Sequence, residues 1–489
     1  MAEHKATGMG GAYILPFQRA RAHMYRSHRI LMGDGGFQSE GEVYTHTADT
    51  PLRFAVACRN AFGQTLSPHP DVTHFPTRYV AQGVLFPNYK QGKPRLVAQS
   101  FNGGGGGGAR ARHFIPVGFP IIADEHKPGV LWVWNKMKGV EEGKPETLAN
   151  LVSDTKLLDV IYTFVNYPLD MKPVHPDKSL PKTWRAKTKG LYIFRNAYQG
   201  ADDIVLQVYA AELKTMGNSA PDAGGLRLMG FGHAWTHTGG GKHDSVMPNN
   251  LPVVTRKGES IVGDRGPGRV TAWHGEEDGS GSVSINLDVV YNPTKGRKVD
   301  GHDRGGVWPL ELPPKGEVSG LRAVAADYSG KCGAPALFVV VDKIEGEATR
   351  NWVWPMPGTK HTDVRLESGK NTLTMYQRNA SLHFTFVTPA DAAVQAPGML
   401  ELVESDKRKK TRKKTGRRGG GRKEKESEAV SVDAMASSPD HFFVIMTMQR
   451  GSPPEVVVEA GEGLDAVVRV GGRRIRFDGE NVLIEDTRQ

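Results

Sequence analysis

Ala336-Leu-Phe-Val-Val-Val341 and Ser282-Val-Ser-Ile-Asn-Leu-Asp-Val-Val290 are the two stretches on which the reading of the fold turns. The first is continuously apolar and suits a strand covered on both faces. The second alternates strictly, placing Val283, Ile285, Leu287 and Val289 on one side and polar side chains on the other, as in a half-buried antiparallel strand. Ser381-Leu-His-Phe-Thr-Phe-Val387 repeats that pattern. Near the C-terminus, Ala466–Val470, Arg473–Phe477 and a strand through Ile484 are separated by Gly471-Gly472 and Asp478-Gly479, pairs that supply the positive φ of tight hairpins. Strands at this density predict two packed antiparallel sheets from Leu191 onward.

Upstream, the pattern is helical but thin. A helix is expected over Phe17–Leu31, stopped by Gly33-Asp34-Gly35-Gly36. A second is expected over Leu52–Phe62, after Thr50-Pro51 and before Gly63, and a third over Val72–Val84. These are too few to close a helical domain. Beyond Pro87 come proline-punctuated loops and one helix candidate, Glu146–Ile161. The expected fold is therefore mostly β, α+β overall. It divides into a helical region over 1–95, a connecting region of loops and one helix over 96–190, a large antiparallel β-sandwich over 191–404, a basic insertion over 405–430, and strands over 431–489 that complete the sandwich.

Composition agrees with this division. The 489 residues are 38% hydrophobic with 59 Gly and 31 Pro, which favours short strands joined by turns over long bundles. The net charge of +10 is local: Ser405–Glu428 carries 12 Lys/Arg against 4 Asp/Glu, a local +8, leaving about +2 for the rest. A field steering a polyanion to the whole surface is thus not implied. The run Asp406–Lys425 has no hydrophobic face and reads as a disordered loop inserted between strands, with RNA or polyanion binding through Lys407–Lys425 as its functional alternative. The two cysteines, Cys58 and Cys332, exclude a disulfide framework and a zinc finger, and Cys58 in Phe54–Cys58 reads as a buried small hydrophobe. No apolar stretch approaches the ~18 residues of a membrane span. Met1–Gly11 lacks a signal-peptide core, so either the protein stays inside the cell or the chain begins downstream of its true start.

Three stretches could carry chemistry: Met32-Gly-Asp-Gly-Gly-Phe-Gln-Ser-Glu-Gly-Glu-Val-Tyr44-Thr-His46; Phe194-Arg-Asn-Ala-Tyr198 with Met216-Gly-Asn-Ser-Ala-Pro-Asp-Ala-Gly-Gly225, Gly232-His-Ala-Trp-Thr-His237 and His243-Asp-Ser-Val246; and Leu337-Phe-Val-Val-Val-Asp-Lys-Ile344 with Trp352-Val-Trp354. Together they resemble the heparinase II/III-like polysaccharide lyases, which join an incomplete α/α toroid to a C-terminal β-sandwich. The resemblance runs thinly from about Gly33 to the C-terminus and is specific in Gly33–Tyr44 and Gly217–Trp235. It implies a short toroid remnant ahead of the sandwich, and β-elimination at the uronic acid of an acidic polysaccharide. In that reaction a base removes the proton α to the carboxylate, a neutralising group stabilises the dianion, and an acid protonates the departing oxygen.

Residue by residue, the resemblance implies Tyr44 as the catalytic acid/base and Asn218 where the family has its catalytic His. Glu40, His46, Arg195 and Asp222 would be substrate-binding, and His237 and His243 a rearranged zinc site. Ala220 stands where the family has a metal-holding His, and Ala cannot bind zinc; Asn218 cannot accept a proton. His23, Arg26 and His28 of the first helix are further cleft candidates. Three functions follow: a lyase, an acidic-glycan-binding sandwich without catalysis, or an anionic-polymer factor acting through the basic run. By analogy the family is periplasmic or secreted. Gly239-Gly-Gly-Lys242 lacks the spacing of a phosphate loop, no HExxH occurs, and Gly103–Gly108 has no strand–helix context for a nucleotide.

Overall fold

The computed structural model describes residues 33–37, 49–63, 71–87, 93–99, 114–152, 157–212, 223–236, 252–256, 259–260, 267–292, 318–346, 349–355, 364–398, 429–433 and 441–487, with single residues 19, 22 and 101. Its β part is mostly antiparallel sheet, as expected. The central layer is an eight-stranded sheet whose spatial order is Arg269–Gly275, Gly281–Asn286, Ser319–Asp327, Ala336–Glu345, Phe442–Gln449, Ala380–Thr388, Thr372–Gln377 and Val364–Gly369. Ala336–Val341 is buried on both faces for a reason visible in its two sets of side chains. Phe338 and Val340 join the core shared with a five-stranded sheet, whereas Leu337, Val339 and Val341 join a separate core beneath the C-terminal hairpins.

The five-stranded sheet is an antiparallel meander of Thr183–Ala186, Leu191–Arg195, Val205–Tyr209, Gly225–Gly230 and His233–Ala234. Its inner face brings Phe194, Leu206, Val208 and Leu228 to the main core. A second five-stranded sheet contains Ala393–Gly398, Ala429–Asp433 and Thr349–Pro355. In it, Trp352 and Trp354 stack at 5.7 Å and press edgewise on Phe384. Ala393–Gly398 and Ala429–Asp433 are paired antiparallel neighbours, so the basic run, itself outside the described residues, connects two adjoining strands.

Of the C-terminal strands, Phe442–Gln449 lies inside the central sheet, and the last four stand apart from it. Val456–Ala460, Val467–Val470, Arg473–Phe477 and Val482–Asp486 form their own four-stranded sheet, joined at Gly471 by a turn with φ +52°. Val468, Val470, Ile475 and Val482 cover Ala325, Leu337, Val339, Phe443 and Ile445 on the far face of the central sheet. Arg473, bonded to both Asp327 oxygens at 2.6 and 3.0 Å, ties the layer down. The result is a third layer rather than a completion of the first two. The alternating stretch at 282–290 also ends early: strand Gly281–Asn286 gives way to a helical turn, Asp288–Tyr291. The Asn286 carboxamide accepts the Asp288 N–H, and the Asp288 carboxylate accepts the Gly320 N–H, which turns the chain aside.

The helical part is richer than expected. Asp49–Phe62 and Asp71–Gln82 match the second and third expected helices, and Cys58 is buried as foreseen; of Phe17–Leu31 only Arg19 and Ala22 are among the described residues. The segment read as a loop-rich connection contributes Phe114–Gly118, Lys127–Lys138 and Leu157–Asn166, while Pro145–Leu151 is only a 3-10 turn. These helices share one core with the first two, built on Leu52, Val72, Phe75, Ile115, Val130 and Trp134. Lys127–Lys138 starts with Pro in its first turn and ends at Gly139 in the left-handed conformation (φ +68°), whose N–H returns to Asn135 and Lys136. This helical layer lies against the outer face of the first five-stranded sheet.

Candidate functional site

The turn Gly33–Phe37 is clamped between the helix Asp71–Gln82 and the edge strand Thr183–Ala186. The Asp34 carboxylate accepts the Thr188 N–H at 2.8 Å, and its carbonyl lies 3.1 Å from His74 Nδ1. Trp184 Nε1 donates to the Gly35 carbonyl at 3.0 Å, and Arg78 Nε to that of Gly36 at 3.2 Å. No side chain fits here: a Cβ on Gly35 would lie 2.4 Å from Ala186 Cα, and one on Gly36, whose φ is +67°, 2.5 Å from the Phe75 nitrogen. The glycines that sequence reasoning read as a helix stop thus also allow two layers to close on the backbone.

The described residues flanking the glycine-rich stretch 216–225 lie near the same turn. The chain leaves strand Val205–Tyr209, passes Glu212 and re-enters the described residues at Ala223, where the Gly224 N–H donates to the Tyr209 carbonyl at 2.6 Å. The Tyr209 ring meets Phe37 at 5.3 Å and Phe101 at 5.0 Å. On the other side of 213–222, the Glu212 carboxylate accepts the Val270 N–H at 2.8 Å. Burial pushes the Glu212 carboxyl above the usual carboxylate range, and the negative charge of Asp34 adds to the effect. Burial also raises the Tyr192 phenol, with the charges of Glu212 and Asp34 pushing the same way. The described residues on either side of 213–222 are thus linked to Gly33–Phe37, through the Tyr209 ring on one side and the Asp34 charge on the other.

Beneath this junction runs a buried polar chain that sequence reasoning missed. Arg78 Nη1 donates to the Gln82 carboxamide oxygen; Gln82 Nε2 donates to Gln207 Oε1 and to the Gln99 carbonyl, each at 2.8 Å. Gln99 and Thr236 bond each other at 3.3 Å through side chain and backbone. The Arg227 guanidinium stands 4.6 Å over the Phe101 ring. One signal was available: Gln207 interrupts the apolar run Val205–Tyr209, and a polar residue inside a fully buried strand needs a partner.

Of the expected site residues, Glu40, Tyr44, His46, Asn218, Asp222, His237 and His243 lie outside the described residues, as do His23, Arg26 and His28. Arg195 is described, and it lies inside the scaffold rather than facing a sugar. It is 1% exposed. Its Nη1 donates to the Val80, Ala81 and Gly83 carbonyls at 3.1, 2.8 and 3.0 Å, Nε donates to Ala197, and Nη2 meets Asp203 at 2.8 Å. Its carbon Cζ lies 3.5 Å above the Tyr198 ring, whose hydroxyl donates to Pro181 and is pushed up to about 12 by burial. Arg195 thus caps the end of the helix Asp71–Gln82 and fastens it to the sheet. Among the described residues no group of three or more His, Cys, Asp or Glu could hold a metal ion. No helix among them is long and apolar enough to cross a membrane.

No protein-family model and no curated protein matches the chain. Solved structures do. A crystal structure of heparinase III superposes with a TM-score of 0.55 at 14% identity, over 94% of this chain and 62% of that one. The fold is heparinase III-like. A second heparinase III gene product gives a TM-score of 0.53 at 13% identity, over 95% and 61% of the two chains. A mutant of heparan sulfate lyase HepC from Pedobacter heparinus gives 0.52 at 12%, over 95% and 62%. The chain thus spans about three-fifths of the length of these heparinase III-like neighbours. At such identities the likeness is one of fold.

Proposed function

We propose that the chain is part of a polysaccharide-lyase-like protein that takes an acidic polysaccharide at the junction of helical layer and five-stranded sheet. One observation carries this reading: the described ends of the two stretches expected to bear the site converge on Tyr209. Phe37 packs on its ring and Gly224 bonds its carbonyl. Tyr44 follows Phe37 by seven residues and Asn218 precedes Gly224 by six. At about 3.3–3.6 Å per extended residue, both lie within reach of one cleft.

In this reading Tyr44 removes the proton α to the uronate carboxylate. The electron pair forms the ring double bond as the glycosidic C–O bond breaks, and Tyr44 returns the proton to the departing oxygen. Asn218 donates from its carboxamide to the uronate carboxylate, with Glu40, His46 and Asp222 completing the polar lining. His237 and His243 remain candidate zinc ligands, but Ala220 removes one expected donor, and no step here depends on a metal. The test is release of unsaturated-uronate absorbance on glycosaminoglycan, alginate and glucuronan panels. Tyr44→Phe is expected to abolish the signal; absence of signal from the chain and from an upstream-extended version rejects the elimination.

A second reading, an acidic-glycan-binding module without turnover, is favoured by Asn218 standing where a base is expected. Calorimetric binding of an acidic glycan without release of unsaturated product supports it. Absence of binding rejects it.

A further inference from the structure

Gly224, at the start of strand Gly225–Gly230, is held from the central sheet by a buried ion pair. Arg322, on strand Ser319–Asp327, and Asp342, on Ala336–Glu345, are direct cross-strand partners and are 0% and 1% exposed. Arg322 Nε donates to Asp342 Oδ1 at 2.6 Å and Nη2 to Oδ2 at 2.9 Å, a two-pronged fork that fixes the guanidinium plane. Nη1 then donates to the Gly224 carbonyl at 2.8 Å. Gly224 is the residue whose N–H bonds Tyr209, so its peptide groups are gripped from both sheets.

A buried ion pair is a weak source of stability, since apolar side chains of similar volume often serve as well. The pair has a geometric use instead. We propose that Arg322 and Asp342 are positioning residues: Asp342 orients Arg322, and Arg322 fixes the Gly224 peptide beside Tyr209, whose ring meets Phe37 of the turn Gly33–Phe37. The apolar run ending in Val339-Val-Val-Asp342 thereby acquires a role for its terminal carboxylate. The inference rests on reading the stretch that leads into Gly224 as the sandwich half of the proposed site, but its first readout does not.

That readout is hydrogen exchange in the full chain carrying Arg322→Met with Asp342→Leu, which replaces the pair by apolar side chains. Exchange at Gly224–Gly225 is expected to rise about 10-fold or more, the scale set by losing one charged hydrogen bond. Protection in Ala336–Glu345 should hold. Arg322→Lys keeps the charge without the fork and should give the same local loss if the double variant fails to fold. Unchanged protection at Gly224 in a folded variant overturns the proposal. In glycan assays kcat should fall at least about 10-fold with binding retained; a fall in binding alone would instead make Arg322 merely structural. A wild-type chain without lyase activity sinks the proposed reaction and leaves the exchange experiment to decide the positioning.

Discussion

Arg195→Met separates scaffold from sugar contact. The substitution keeps the apolar stem but removes the donors to Val80, Ala81, Gly83 and Ala197 and the cation facing Asp203, which is 4% exposed. Burial already pushes the Asp203 carboxyl up, against the pull of Arg195 and the Gln199 and Gly200 N–H groups. Breaking a buried pair from one side costs about 3–5 kcal/mol. Taking about 4 kcal/mol, the docking equilibrium between helical layer and sheet shifts roughly 1,000-fold, at 1.4 kcal/mol per factor of ten. Urea titration followed by tryptophan fluorescence reads this out, because Trp184 sits at the junction and bonds Gly35. Arg195→Met with Asp203→Leu should recover part of the loss by removing the stranded carboxylate, and Arg195→Lys should fall between. A loss below about 1 kcal/mol, the range of an exposed pair, together with selectively weakened glycan binding would refute the scaffold assignment.

Gly36→Ala should undock the Gly33–Phe37 turn, since its Cβ would meet the Phe75 backbone at 2.5 Å and left-handed φ costs roughly 1–2 kcal/mol more; limited proteolysis at 33–37 is the check. His383, held neutral by burial between Thr374 (2.7 Å) and Thr385 (3.4 Å), has its pKa lowered from 6.5. Its contribution is full above pH 6.5 and is lost as pH falls through the depressed value. Thermal midpoints measured from pH 8 to 5 should therefore drop with acid, and His383→Gln should flatten the curve. Removing 456–489 uncovers Leu337, Val339, Phe443 and Ile445, so the shortened chain should aggregate; a soluble monomer would show that the third layer is dispensable. Replacing 399–428 by a short turn should leave the midpoint unchanged, because Ala393–Gly398 and Ala429–Asp433 pair without it; loss of heparin or RNA retention in that variant would assign polyanion binding to the basic run.

What the sequence made legible follows from how locally each feature is encoded. Alternation at Val283 and Ile285 and the apolar run Ala336–Val341 state directly that one face, or both, must be covered, and both strands form where expected. They do not state what covers them: the lid over Leu337 and Val339 comes from Val468 and Val470, more than a hundred residues away. The helix Lys127–Lys138 escaped because Pro128-Gly129 and a Val/Trp-rich run carry poor helix propensity, and only packing of Val130, Leu131 and Trp134 into the helical core overrides it.

The site divides along the same line. The need for Gly35 and Gly36 was legible as a turn, but the wall each faces, Ala186 or Phe75, belongs to tertiary structure. Arg195 misled because an arginine in a candidate motif reads as a ligand for anions, whereas its neighbours Leu191–Phe194 are all buried, and a cation at the end of such a strand must find its acceptors inside. Tyr209 carried no motif at all. Its importance is purely positional: it is the residue that Phe37 and Gly224 reach from opposite directions in the chain. The cleft proposed above therefore depends on whether Phe37 and Gly224 hold their grip on that one tyrosine, and Tyr209→Ala, which deletes the ring against Phe37 while leaving the carbonyl for Gly224, should release the helical half and spare the sandwich half.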